Sequence, residues 1–196
     1  MFKQRKISTI PKGKKKRKKG QGKKKGNNFE NSRAKELSLW ITKGERIDIF
    51  ERSSSSGAKA TMHRKLGRDA FSSQAGDIAS SDPLGENLTK PIMIECKHYG
   101  DMNYLNLFFG GKGGVVQFWD KLLEECEYYK KYPMLVCRQN HRPILLGTNL
   151  HVTEQLNLHD FLFAVFPKKD LGFLLWSDFL ENCDPNLLMN FVYEVR

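Results

Sequence analysis

Residues 76–99 read GDIASSDPLGENLTKPIMIECKHY, which is two apolar segments separated by a polar stretch. Pro83, Leu84 and Gly85 in the middle of that stretch predict a turn, because proline and glycine favour turn conformations. We therefore expect two neighbouring strands joined by a hairpin-like connection. The second segment, Pro91 to Tyr99, is the clearer strand of the two.

Side chains alternate between the two faces of a strand, so Glu95 and Lys97 point the same way while Ile94 and Cys96 point into a core. If Asp77 lies on the adjacent strand, two carboxylates and one lysine converge on a point. Carboxylate, carbonyl and water oxygens are the ligands that Mg²⁺ prefers. The stretch therefore predicts a site for a hard divalent cation, where Lys97 would hold a water or stabilise charge on a phosphate.

Asp77 followed by Glu95-x-Lys97 resembles the motif of the PD-(D/E)xK nuclease superfamily. Glu95-Cys96-Lys97 is the only Asp/Glu-x-Lys triplet in the sequence, and it ends the best strand candidate. The resemblance implies an α/β restriction-endonuclease-like fold, in which helices flank a mixed β-sheet. It also implies an Mg²⁺- or Mn²⁺-dependent endonuclease, with the metal bound by Asp77, Glu95 and the backbone carbonyl of Cys96. The alternative interpretation is a surface Glu–Lys pair on an edge strand.

Glu30 is a further candidate in the first predicted helix. Holliday junction resolvases of the archaeal and phage type, within this superfamily, carry a glutamate in the first helix that joins the metal site, and Gly26-Asn27-Asn28-Phe29-Glu30 looks similar. The alternative is that the Glu30 carboxylate favours the dipole of the helix in its first turn. The sequence leaves both interpretations open.

The excess positive charge lies in one tail. Residues 1–25 contain 13 of the 33 Lys and Arg residues and no acid, whereas the rest of the chain has 20 basic and 22 acidic side chains. With almost nothing apolar to bury, residues 1–25 are expected to be disordered. Such a tail can bind nucleic acid through counterion release. A solubilising tail, a nuclear address and an anionic-membrane contact are the alternatives.

A basic loop is predicted between the first strand and Asp77. Hydroxyl groups, glycine N–H groups and basic side chains are what proteins use to contact a phosphate backbone, so we expect this loop to bind DNA. A flexible, solvated loop is the alternative. The candidate DNA-binding residues are Arg52, Ser53, Ser54, Ser55, Ser56, Lys59, Arg64, Lys65 and Arg68.

The pattern of apolar residues predicts a nuclease-like core over residues 26–149. It consists of a helix capped by Asn27 or Asn28 and running to about Thr42, a strand at 46–52, the segments described above, a helix at about 115–132, and strands at 133–138 and 144–147. Residues 150–196 contain an apolar strand at 161–166 and two helices. They are expected to pack on the core or to form a dimer interface.

The location and the substrate follow from the remaining features. No apolar run follows the first residues and none is long enough to span a membrane, and the four cysteines form no CxxC pair. We expect reduced thiols, no membrane and the cytoplasm of a bacterial or phage-infected cell. The resolvase resemblance implies branched DNA, four-way junctions in particular, and a homodimer. A flap, nicking or restriction-type activity, a non-catalytic nucleic-acid-binding protein that uses its basic tail, and a ribosome-associated protein are the alternatives.

Overall fold

A five-stranded mixed sheet with helices on both faces forms the centre of the protein. The structure is a computed structural model that describes residues 21–53 and 75–191. In this part of the chain the helices are α1 (Gln21–Ile41), α2 (Pro83–Thr89), α3 (Leu105–Phe109), α4 (Val115–Tyr129), α5 (Leu150–Gln155) and α6 (Trp176–Asn182). Short 3-10 helices span His159–Phe161, Pro167–Lys169 and Pro185–Asn190.

The strands are β1 (Phe50–Arg52), β2 (Ile78–Ser80), β3 (Ile92–Tyr99), β4 (Tyr132–Gln139), β5 (Ile144–Thr148), β6 (Ala164–Phe166) and β7 (Leu171–Leu175). The main sheet has the order β3-β4-β5-β7-β6. Strands β3 and β4 are parallel, so α4 makes the crossover between them, and every other pair in this sheet is antiparallel. This arrangement confirms the predicted α/β class and is consistent with a restriction-endonuclease-like fold.

The hairpin predicted between residues 76 and 99 is wrong. Residues Pro83–Thr89 form α2, because Pro83 suits the first turn of a helix and the Asp82 side chain accepts a hydrogen bond from the Leu84 N–H as its N-cap. Strand β2 pairs with β1 in a separate antiparallel ribbon rather than in the main sheet. One backbone hydrogen bond joins this ribbon to β3, from the Asp77 N–H to the Ile94 carbonyl at 2.8 Å.

Helix α1 begins earlier than predicted. Residues Gln21–Lys25, assigned to the disordered tail, are helical, and neither Asn27 nor Asn28 is the cap. Lysine has a high helix propensity, and the Lys25 ammonium donates a hydrogen bond to Asn140 Oδ1 after β4, which supports the first turns. Residues 1–20 lie outside the described part of the chain.

The core occupies both faces of the sheet. On one face α1 and α6 pack against β3, β4 and β5, with Leu37 of α1 fully buried and Trp40 and Ile41 nearly so. On the other face α4 packs through side chains that include Trp119, which is fully buried. The buried side chains of the central strands therefore face one of two cores according to their direction.

The segment after residue 149 contributes to the main sheet. Strand β7 pairs with β5, with Leu146 opposite Leu174, and β6 pairs with β7. The Trp40 indole N–H of α1 donates to the Cys183 carbonyl at 2.8 Å, so the C-terminal part also contacts the first helix. A role of this segment in a dimer stays a prediction.

Candidate active site

Asp77, Glu95 and Lys97 meet at the edge of β3. The Lys97 Nζ atom lies 3.5 Å from Asp77 Oδ2 and donates a hydrogen bond to Glu95 Oε1. Asp77 Oδ2 also accepts a hydrogen bond from the Cys96 backbone N–H at 2.9 Å. The structure therefore brings together the three side chains that the sequence analysis grouped, with one ammonium between two carboxylates.

The local backbone explains why Asp77 reaches β3 although it belongs to the other ribbon. Its N–H donates to the Ile94 carbonyl, and its own carbonyl accepts a hydrogen bond from the Ser53 N–H at 2.9 Å. The chain at Asp77 is thus held between the end of β1 and the middle of β3. The Asp77 side chain is 8% exposed, so its carboxylate is directed into the protein and not into solvent.

The site carries an excess of negative charge in a largely buried position. Burial first, and then the charge of Asp77, raise the pKa of Glu95 to about 7 against the opposing effect of Lys97. Burial lowers the pKa of Lys97, but the Glu95 and Asp77 carboxylates outweigh burial and leave this pKa above its usual value. Lys97 is therefore a stable cation, and the two carboxylates repel each other.

Glu30 of α1 lies close to this group. Its Oε2 atom is 3.4 Å from Arg52 Nη1, which joins α1 to the end of β1. Burial raises the pKa of Glu30, and the nearby charge of Asp77 raises it as well, whereas Arg52 and Lys97 lower it. A cleft of about 590 Å³ runs beside Glu30, Lys97 and His98.

The predicted DNA-binding residues fall into two groups. Ser54, Ser55, Ser56, Lys59, Arg64, Lys65 and Arg68 lie outside the described residues. Arg52 is directed to Glu30, and Ser53 is 3% exposed and uses its N–H to hold Asp77. In this structure the two described members of the set support the carboxylate site, and their contact with DNA stays a prediction.

The donor atoms fit a hard divalent cation, although the side chains alone do not form a ready cage. Within residues 21–53 and 75–191, no group of three or more His, Cys, Asp or Glu side chains is placed to hold a metal ion. Lys97 lies between the two carboxylates, and Glu30 is paired with Arg52. Mg²⁺ commonly uses one or two carboxylates plus water, and the repulsion that raises the pKa of Glu95 is what a bound cation would relieve.

Sequence reasoning missed a cluster of cations beside this site. His98 lies on the opposite face of β3 from Lys97, as expected, with its ring 5.2 Å from that of Phe29. Burial first, and then the positive charges of Lys25 and Arg138, lower the pKa of His98 to about 4. The helical spacing that places Arg33 one turn after Phe29 was visible in the sequence, but its nearness to Arg138 depends on the packing of α1 on β4.

A mixed sheet, an acid-x-lysine strand and an aspartate held against that strand define the PD-(D/E)xK class of nucleases. Residues 21–166 match the family model described as phage putative PDDEXK endonuclease, so the chain belongs to this family. The match covers α1 to β6 and therefore extends beyond the residues on which the resemblance was based. Comparison with curated proteins and with solved structures found no match.

Membership of this family supports a nuclease with DNA as its substrate. The helices in the described ranges include none that is both long and apolar enough to cross a membrane.

Proposed function

We propose that the protein is a metal-dependent endodeoxyribonuclease whose active site consists of Asp77, Glu95 and Lys97. The observation that supports this proposal is the contact of one ammonium with a buried and a half-buried carboxylate beside an open cleft. A surface Glu–Lys pair would be exposed, whereas the Lys97 and Glu95 side chains here are 22% and 18% exposed. Charged groups with shifted pKa values in a cleft are typical of functional sites.

Asp77, Glu95 and the Cys96 carbonyl would hold Mg²⁺ or Mn²⁺, and Glu30 would complete the set when it separates from Arg52. A divalent metal lowers the pKa of a bound water and neutralises charge on the scissile phosphate. Lys97 stays protonated because its pKa is raised, so it is a donor and not a general base. It would orient the attacking water or stabilise the negative charge that grows on the phosphate oxygens.

For the substrate we propose branched DNA, four-way junctions in particular, and for the assembly a homodimer. The support is the likeness of Gly26–Glu30 and of Glu95-x-Lys97 to the corresponding motifs of resolvases. Paired nicks in a junction of two-fold symmetry need two active sites, which a two-fold dimer supplies. Cleavage of linear, flap and four-way DNA of equal length, together with the mass of the protein in solution, tests both parts.

The test of the active site compares folded variants in a plasmid nicking assay with Mg²⁺ or Mn²⁺. Asp77→Asn and Lys97→Met are each expected to lower the nicking rate by roughly 100-fold or more, which is the usual effect of removing a group that stabilises the transition state. Binding of Mn²⁺ followed by calorimetry gives a second readout, since Asp77→Asn should weaken it while Lys97→Met should not.

Glu86→Gln and Lys90→Met serve as matched controls, because this exposed Glu–Lys pair on α2 has a distance of 2.7 Å and lies outside the site. Both controls should nick at the wild-type rate. Retention of nicking by Asp77→Asn and by Lys97→Met would refute the site.

The second candidate function is a non-catalytic nucleic-acid-binding protein, which the 13 basic residues of the tail favour. It predicts binding of plasmid and junction DNA without cleavage in either metal. The same assay therefore separates the two functions.

A further inference from the structure

A second pocket lies on the α1 side of β3, next to the active-site cleft. It has a volume of about 450 Å³, and its lining includes Lys25, Ser32, Arg33, His98 and Arg138. Lys25 and His98 also line the cleft that contains Glu30 and Lys97, so the two spaces are adjacent. Lys97 and His98 are consecutive on β3 and point to opposite faces, so the pocket and the carboxylate site lie on either side of one strand edge.

Three nitrogen atoms of the two guanidinium groups in this pocket lack hydrogen-bond acceptors. Arg33 is 6% exposed, and its Nη2 atom donates to Glu36, but its Nε and Nη1 atoms have no acceptor among the described residues. The same is true of Arg138 Nε. A buried donor without an acceptor is costly, and native structures usually satisfy such groups with protein, water or a ligand.

The positive charge of the two arginines in the pocket is also poorly compensated. Its lining includes Lys24, Lys25, Arg33 and Arg138 and, within the described ranges, no acid. Glu36, the partner of Arg33, accepts a second hydrogen bond from the Trp176 indole N–H at 2.6 Å. This carboxylate is therefore shared, and Arg138 has no carboxylate partner among the ion pairs of the described residues.

We propose that the pocket formed by Lys25, Arg33, His98 and Arg138 binds a phosphate group of the DNA, on a strand that continues from the active-site cleft. The planar guanidinium group of an arginine matches the oxygens of a phosphate. The unsatisfied N–H donors of Arg33 and Arg138 would donate hydrogen bonds to those oxygens. The pocket would position the strand relative to Lys97 without touching the reacting atoms. This inference rests on the proposed nuclease function.

The test measures DNA binding by the full chain without divalent metal, so that it does not depend on cleavage. Arg138→Gln and Lys25→Gln remove charge from the pocket and leave the Arg33–Glu36 pair in place. Each should raise the Kd at least about tenfold, as the loss of a charge-assisted hydrogen bond does. Each should also reduce the slope of log Kobs against log salt by about 0.9 for a duplex.

Arg142→Gln is the matched control, because Arg142 is an exposed arginine in the turn after β4 and does not line the pocket. It should change the Kd by less than about twofold, as a peripheral charge does. The proposal is overturned if neither Arg138→Gln nor Lys25→Gln changes the Kd and the salt slope, or if Arg142→Gln changes them equally.

Two DNA forms distinguish the source of the phosphate. An effect of Arg138→Gln on closed circular plasmid assigns the pocket to an internal phosphodiester, because this DNA has no ends. An effect confined to linear duplexes that carry a terminal phosphate, and absent from the same duplexes without it, assigns the pocket to a strand end. Either result supports a phosphate site.

These experiments distinguish a failure of the nuclease function from a failure of the phosphate pocket. A protein that binds DNA through Arg138 but never nicks it contradicts the nuclease function alone. In a protein that nicks, Arg138→Gln should raise KM and leave kcat near its wild-type value, since the pocket does not touch the reacting atoms. Nicking with unchanged KM and unchanged binding contradicts the phosphate pocket alone.

Discussion

Gly76 determines where Asp77 lies. Its φ angle is +93°, a conformation that L side chains rarely adopt, and a Cβ atom added to it would lie 2.7 Å from the Ile94 carbonyl oxygen. That same oxygen accepts the hydrogen bond from the Asp77 N–H. Glycine at this position therefore allows the carboxylate-bearing residue to approach β3 closely.

Gly76→Ala is expected to destabilise the fold and to lower nicking, because the new methyl group must push Asp77 away from Ile94. Gly44→Ala is the matched control, since Gly44 has a φ angle of +95° but no atom within 4 Å of its Cβ position. The control should cost only the left-handed strain, about 1–2 kcal/mol. Denaturant unfolding and the nicking rate measure both effects, and equal losses in the two variants would contradict the close-approach argument.

The three residues of the candidate site could be grouped from sequence because two of them follow strand alternation. Glu95 and Lys97 share a face of β3 once the strand is recognised, and alternation needs no tertiary information. The pairing of Arg52 with Glu30 could not be predicted, because it depends on how α1 packs against β1. The unsatisfied N–H donors of Arg33 and Arg138 could not be predicted from sequence either, because their hydrogen-bond partners would come from residues that are distant in the chain.

At the scale of elements, Lys131 joins the start of β4 to the end of α2. Its side chain is 6% exposed, and its ammonium donates a hydrogen bond to the Thr89 carbonyl. A cation near the last carbonyls of a helix is favourable, but burial lowers the pKa of Lys131 to about 8. The contact therefore holds the two elements together at the cost of desolvating a charge.

This cost predicts a pH dependence of stability. The pKa of Lys131 in the fold, about 8, is below that of an unfolded lysine, about 10.4, so between these values the unfolded chain binds the additional proton. Stability then rises with pH, and the wild type should gain up to about 3 kcal/mol relative to Lys131→Met between pH 7 and pH 11. Denaturant unfolding of both proteins across this range measures the gain.

Lys130→Met is the control, because it makes the same substitution at the exposed neighbouring residue. If the difference in unfolding free energy between the wild type and Lys131→Met is the same at every pH, burial of the Lys131 ammonium has no desolvation cost.

The elements themselves were predictable where apolar periodicity was strong. Helix α4 and strands β4 and β5 lie within a few residues of their predicted bounds. Within α4, Trp119 is fully buried, and its indole N–H donates to the Lys169 carbonyl at 3.0 Å. A buried tryptophan needs a hydrogen-bond acceptor, and here the acceptor comes from a segment that sequence patterns did not place near α4.

At the scale of the whole molecule, the central sheet is completed from the C-terminal part of the chain. Strand β7 was not predicted, because Leu171–Leu175 is short and directly precedes α6. Its pairing with β5 joins residues that are far apart in the sequence, such as Leu145 and Leu175. Non-local pairing of this kind carries no local signal, so the place of β7 next to β5 was not predictable. Strand β6, which pairs with the nearby β7, was predicted in part, because Ala164–Phe166 lies within the predicted strand at 161–166.

The charge of the molecule is divided between a basic N-terminal segment and a nearly neutral remainder, which predicts that binding and cleavage can be separated. Residues 1–20 contain ten Lys and Arg residues and none of the proposed active-site or phosphate-pocket residues. Their removal should weaken DNA binding and reduce the salt slope, by at most about 9 if all ten contact a duplex. Nicking at low salt should persist, because Asp77, Glu95 and Lys97 remain.

A full-length chain with Gln in place of these ten residues is the control that separates charge from length, and it should behave as the truncated chain does. The two variants are compared with the wild type by Kd at several salt concentrations and by nicking rate. Complete loss of DNA binding in both would favour the non-catalytic binding protein, since the folded part would then make no contact of its own. Residual binding that disappears on adding Arg138→Gln would instead locate that contact in the pocket between α1 and β3.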